Sequence, residues 1–165
     1  MSQQVDPAGD RIRVAELLGR EPAGAYEVVV RNTDDDPVVL RNAPILESGR
    51  PMPTLYWLAG EYERRIVGRL EGDGGVRRAE LDVGLAAINA AHVCYAAERD
   101  AEIPAGHDGP RPSGGVGGTR NGVKCLHAHY AWYLAGGDDP VGRWVAERFA
   151  DYEDRHDLPE ESDHV

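Results

Sequence analysis

Apolar and polar positions alternate through residues 25–31, setting Tyr26, Val28 and Val30 on one face of a β-branched run, and this predicts a strand. Asn32-Thr33-Asp34-Asp35-Asp36-Pro37 predicts a turn, and 38–41 a returning strand that completes a hairpin. The aspartate run reads as solvated turn chemistry, because a calcium loop needs ligands at wider spacing and a closing acid. Prolines at 44, 51 and 53 predict loop before a third strand over 54–58 (Thr-Leu-Tyr-Trp-Leu), whose aromatics suit a core or a sheet surface.

Elsewhere the period is helical. Asp10 is placed to cap a short helix carrying Val14, Leu17 and Leu18 on one side and ending at Gly19. Tyr62, Ile66 and Leu70 recur four apart over 61–71, while Arg64, Arg65, Arg69 and Glu71 fall on faces expected to be solvated. Residues 76–100 continue in helical period with a break near 82–84. The longer piece, 85–100, aligns Ile88, His92, Tyr95 and Arg99 in one stripe. Its small residues Ala86, Ala87, Ala90 and Ala91 predict close approach of a neighbouring helix. A last helix starts at Pro140 behind Asp138 or Asp139 and buries Val141, Trp144, Val145 and Phe149. Strands before residue 60 and helices after it predict an α+β fold, a small antiparallel sheet from the N-terminal half packed against helices from the C-terminal half. The domain is expected to span 10–150, with 1–9 and 151–165 as flexible termini.

The chemistry concentrates between the last two helices. A glycine-rich loop, 112–122, leads into a helical segment expected to carry Lys124, Cys125, His127 and His129 and to close at Gly136-Gly137. On one regular helix Cys125 and His129 share a face, whereas His127 points away, so such a helix cannot bring all three to one zinc ion. Several readings stay open. Lys124 and His127 face an anion held by free N–H groups at the helix start, with Gly117 and Gly118 letting loop backbone approach it. Alternatively, Cys125 and His129 supply half of a metal site, or the cysteine and histidines are ordinary packing residues. A cysteine in a first helical turn beside Lys124 is also expected to favour its thiolate. The candidate catalytic residues are His127, Cys125 and His92, and the candidate substrate-binding residues are Lys124, Arg99, Glu71, Gly117 and Gly118. No metal or other cofactor is expected. Zinc is disfavoured, and the chain is expected to fold without it.

Charge narrows the partners. The net charge is −11, with seven acids and one arginine in 151–165. This excludes a general nucleic-acid or anionic-membrane surface, which would have to be basic, and leaves room only for a local positive pocket. Two cysteines far apart in sequence suggest no disulfide framework. The first residues lack the pattern of a secretion signal and no apolar run approaches the ~20 residues of a membrane span, so a cytoplasmic protein is expected.

The stretches 53–58 (Pro-Thr-Leu-Tyr-Trp-Leu), Arg69-Leu70-Glu71, His92 with Tyr95 and Glu98-Arg99-Asp100, and 122–127 (Gly-Val-Lys-Cys-Leu-His) resemble the bacterial DUF501 proteins over roughly residues 17–142. Gly68 stands where that family often has serine, Ala59-Gly60 replaces a proline-containing turn, and His129 lies outside the shared pattern. The resemblance therefore points to Lys124, Cys125 and His127 rather than to a Cys125–His129 pair. It brings no established activity, but implies a link to phosphate or envelope biology. Two functions are expected to compete. One is a pocket that binds or hydrolyses a phosphorylated or other anionic small molecule. The other is a non-enzymatic adaptor for a protein partner, linked to cell division or envelope processes and engaging through its acidic tail and an exposed sheet.

Overall fold

The central strand, β2 (Pro37–Asn42), is buried at every position except Arg41, which is half-buried. The computed structural model describes residues 7–154. Antiparallel neighbours β1 (Tyr26–Arg31) and β3 (Tyr56–Leu58) flank β2, giving a three-stranded sheet in the order β1-β2-β3. Val28 faces Leu40 across one ladder and Val39 faces Leu58 across the other. The two-residue strand period sends neighbouring side chains to opposite faces. Leu40 thus joins Val14 of α1 (Pro7–Leu18), with Ala59, Val28 and Trp57, in a small apolar cluster. Val39 and Leu58 belong to the main core beneath the other helices.

Helix α1 is tied to the hairpin by charge as well as by packing. Asp10 pairs with Arg31 at 2.6 Å, and Arg13 grips Asp36 through two bonds of 2.7 and 2.8 Å. Arg13 thereby holds the Asp36 carboxyl below its ordinary range. One member of the aspartate run is therefore structural rather than merely solvated.

Helices α2 (Glu61–Gly72), α3 (Gly75–Val83), α4 (Leu85–Asp100), α5 (Leu126–Leu134) and α6 (Pro140–Asp154) build the rest. The break between α3 and α4 falls at Gly84, whose φ of 87° suits glycine. Helix α2 buries Ile66, Val67 and Leu70. Tyr62 is 40% exposed, contrary to its expected burial, and meets Phe149 edge-on at the rim. Helix α4 buries Ile88, His92, Tyr95 and Arg99 as one stripe. Ala86, Ala87 and Ala90 are exposed, so among the described residues no close helix neighbour sits over them.

Helix α5 buries Leu126, Ala128, His129, Tyr130, Ala131 and Trp132, so it is enclosed nearly all round. It starts at Leu126. Lys124 and Cys125 precede it, Cys125 in extended conformation (φ −152°, ψ 150°), a correction to the helix expected through both. Part of the reason is that the carboxylate of Glu71, arriving from α2, accepts the Leu126 N–H at 2.6 Å and occupies the helix start. Helix α6 is capped by Asp139 rather than Asp138. One Asp139 oxygen accepts the Val141 N–H at 2.9 Å, and the other meets His129 Nδ1 at 2.6 Å. Among the described residues no helix is long and apolar enough to cross a membrane.

Candidate functional site

The last turn of α2 and the first turn of α5 meet at Glu71. Its carboxylate oxygen accepts the Leu126 N–H and also faces His127 Nδ1 at 3.0 Å. The other ring nitrogen of His127 faces the Arg64 carbonyl at 3.2 Å. Both partners are acceptors, so one nitrogen of a neutral ring can donate to only one of them at a time. Because Cys125 is extended rather than helical, its sulfur comes round to the same place. The donor atoms of Glu71, Cys125 and His127 lie within 4.8 Å of one another, and all three side chains are partly accessible. Cys125 and His127, expected on opposed faces of one helix, can therefore reach one ligand.

Cys125 and His127 line a cavity of about 450 Å³ that opens between the end of α1, β3, α2 and the start of α5. Three cations border it, Arg20, Arg64 and Lys124. Arg20 lies over the Trp57 ring at 5.4 Å, a cation–π contact that orients the guanidinium. Arg64 is fixed by a 2.8 Å bond to the Leu17 carbonyl, and its Nε is buried with no hydrogen-bond partner among the described residues. Lys124 is exposed at the mouth, close to Gly117, whose φ of 66° keeps the loop tight against it. Burial pushes the Cys125 thiol up, and Glu71 adds to that. The Ala128 and His127 N–H groups and Lys124 pull the other way and lose. The expected thiolate-favouring environment is therefore reversed by desolvation.

The other residues singled out from the sequence are placed elsewhere. His92 is nine-tenths or more buried and clamps the glycine-rich loop. Its Nδ1 accepts the Val116 N–H at 3.0 Å, so Nε2 carries the proton donated to the Gly122 carbonyl at 2.7 Å. Burial lowers the His92 pKa, which keeps this ring neutral. Arg99 does not reach the cavity. It is 1% exposed, and its guanidinium donates to the Pro53 and Gly114 carbonyls at 3.1 and 2.8 Å, and to Asp100 at 2.9 Å. The expected substrate-binding role is replaced by contacts to loop carbonyls and to Asp100. Gly118 packs on Pro53. The loop N–H groups of Gly115, Val116, Gly118 and Thr119 bond to one another's carbonyls or to His92, so the open anion-binding loop is not formed by them. His129 turns into the core towards Asp139, away from any pairing with Cys125.

Arg20, Arg64 and Trp57 border the cavity without having been singled out as site residues. Arg64 has the helical spacing of an ordinary solvated arginine, and Arg20 merely follows the glycine that ends α1. No local pattern distinguishes either. Trp57 lies in a stretch that carries the family resemblance, and that stretch is the one signal the sequence offers for it.

A family model, DUF501, described as a protein of unknown function, matches residues 28–147. No curated protein and no solved structure matches the chain.

Proposed function

The chain belongs to the DUF501 family, and with that as premise we propose that the cavity at the start of α5 binds an anionic small molecule, phosphate-bearing by preference. The observation that carries this reading is the gathering of Arg20, Arg64 and Lys124 around one cavity in a chain of net charge −11. Lys124 supplies an exposed point charge, and Arg20, steadied on Trp57, offers a planar fork to phosphate oxygens. His127, held between Glu71 and the Arg64 carbonyl, is the group at the wall suited to proton transfer, so hydrolysis of a phosphorylated ligand is the accompanying activity. Of the two features a protein-adaptor role would use, an exposed sheet and the acidic tail, the tail lies mostly beyond residue 154, outside the described residues.

Calorimetric titration of inorganic pyrophosphate into the full chain tests the reading. Saturable binding is expected, weakened about 10- to 100-fold by Lys124→Ala, the worth of one hydrogen bond to a charged group. Absence of binding, or affinity unchanged in both Lys124→Ala and Arg20→Ala, overturns it.

A further inference from the structure

The geometry points to a divalent metal site, zinc by preference, formed by Glu71, Cys125 and His127 at the wall of the cavity. The donor set is one carboxylate, one thiolate and one imidazole, the mixed oxygen, sulfur and nitrogen ligation that suits zinc better than magnesium or calcium. The three donor atoms already lie within 4.8 Å of one another. The edges of a tetrahedral zinc site are about 3.3–3.7 Å, so modest inward movement of the side chains seats the ion. The surroundings match an outer ligand shell. With the ion in place, the Arg64 carbonyl, 3.2 Å from Nε2, is the acceptor for the one N–H of the neutral His127 ring, which frees the Nδ1 lone pair for the metal. Glu71 is itself oriented by the Leu126 N–H.

The charges also balance. A Zn²⁺ ion, a carboxylate, a thiolate and a neutral imidazole sum to zero, and the thiol proton leaves to solvent as the metal enters. Three protein ligands leave a fourth position, and because Cys125 and His127 both line the cavity, that position faces the space bordered by Arg20, Arg64 and Lys124. This is the arrangement of a reactive metal centre, in which the open position takes water or a ligand oxygen, rather than of a closed structural one. The assignment rests on the three ligands alone and stands whether or not the cavity takes an anion; with the ion bound, His127 is a ligand and no longer the proton-transfer group of the anion reading.

Cobalt(II) is the probe, added to metal-free full chain and followed by optical absorption. One equivalent is expected to give a thiolate-to-cobalt charge-transfer band with the strong visible bands of tetrahedral cobalt, all displaced by zinc. Cys125→Ser is expected to lose the charge-transfer band, Cys94→Ser to keep it, and Glu71→Gln to weaken zinc binding by about 10- to 100-fold or more. No charge-transfer band in the wild-type chain, or a band that survives Cys125→Ser, overturns the assignment and leaves the three side chains as a hydrogen-bonded helix cap. A second measurement needs no variant. One equivalent of zinc is expected to slow alkylation of Cys125 by about tenfold or more, since the thiolate is the nucleophile, while exposed Cys94 reacts as before. Equal slowing of both, or of neither, contradicts the site. No phosphate enters either experiment, so their failure is separate from failure of the anion reading.

Discussion

His92 on α4 and His127 on α5 each set both ring nitrogens against a partner, but the partners differ in kind. His92 lies between a backbone donor, Val116 N–H, and a backbone acceptor, the Gly122 carbonyl. One neutral tautomer satisfies both, so nothing is left over for chemistry. His127 lies between two acceptors at a cavity wall, with a thiol beside it. The cations differ in the same way. Arg99 is enclosed by carbonyls of the loops it holds together, whereas Lys124 stands exposed at the cavity mouth. The α4 set also includes Tyr95, whose hydroxyl accepts the Leu55 and Tyr56 N–H groups, and Glu98, which accepts from Trp132 at 2.9 Å. Residue type alone therefore does not separate framework from site. The identity and accessibility of the partners do.

The comparison breaks most visibly at Arg99. Arg99→Met removes the donor from several loop carbonyls and is expected to cost about 3 kcal/mol or more, read by denaturant unfolding, because each buried group left unpaired costs about 1–3 kcal/mol. A loss below about 1 kcal/mol would place Arg99 outside the framework. Gly115→Ala drives a methyl group into the His92 backbone and side chain, and a loss of about 1–3 kcal/mol is expected from overpacking.

The pH dependence sharpens the contrast. Burial lowers the folded-state pKa of His92, with His129 adding to the effect and the Gly122 bond and Asp139 opposing it. The unfolded chain then binds the proton more readily than the folded one. The contribution of neutral His92 is full above the unfolded value of ~6.5 and is lost as pH falls from there through the lowered folded value. Unfolding midpoints measured across that range should decline with acid, and less steeply in His92→Gln. The smallest stability change belongs to the site. Lys124→Ala is expected to stay within about 0.5 kcal/mol of the wild-type chain, as for an exposed surface position.

Much of this fold is legible in the sequence because its signals are local. The alternation of 26–31 and the Asn-Asp turn specify the hairpin, and the glycines at 74, 75 and 84 mark helix boundaries. The exceptions are long-range. Helix α5 begins at Leu126 and not earlier, with the carboxylate capping it coming from Glu71, far upstream. Tyr62 keeps its apolar spacing but lands at the rim beside Phe149. Arg99 looks free in sequence, since the carbonyls that consume it belong to two separate loops. The lysine, cysteine and histidine of the candidate site are visible in one short stretch. The arginines that complete the cavity arrive from α2 and the end of α1, and no periodicity joins them.

The division between the two histidines is open to a direct test by long-range ¹⁵N–¹H spectra of the imidazole rings in the intact protein, recorded at neutral pH before and after adding pyrophosphate. The account predicts that His92 shows the neutral tautomer protonated on Nε2 and that its signals do not move, while those of His127 shift. Movement of His92 with His127 unchanged would contradict it.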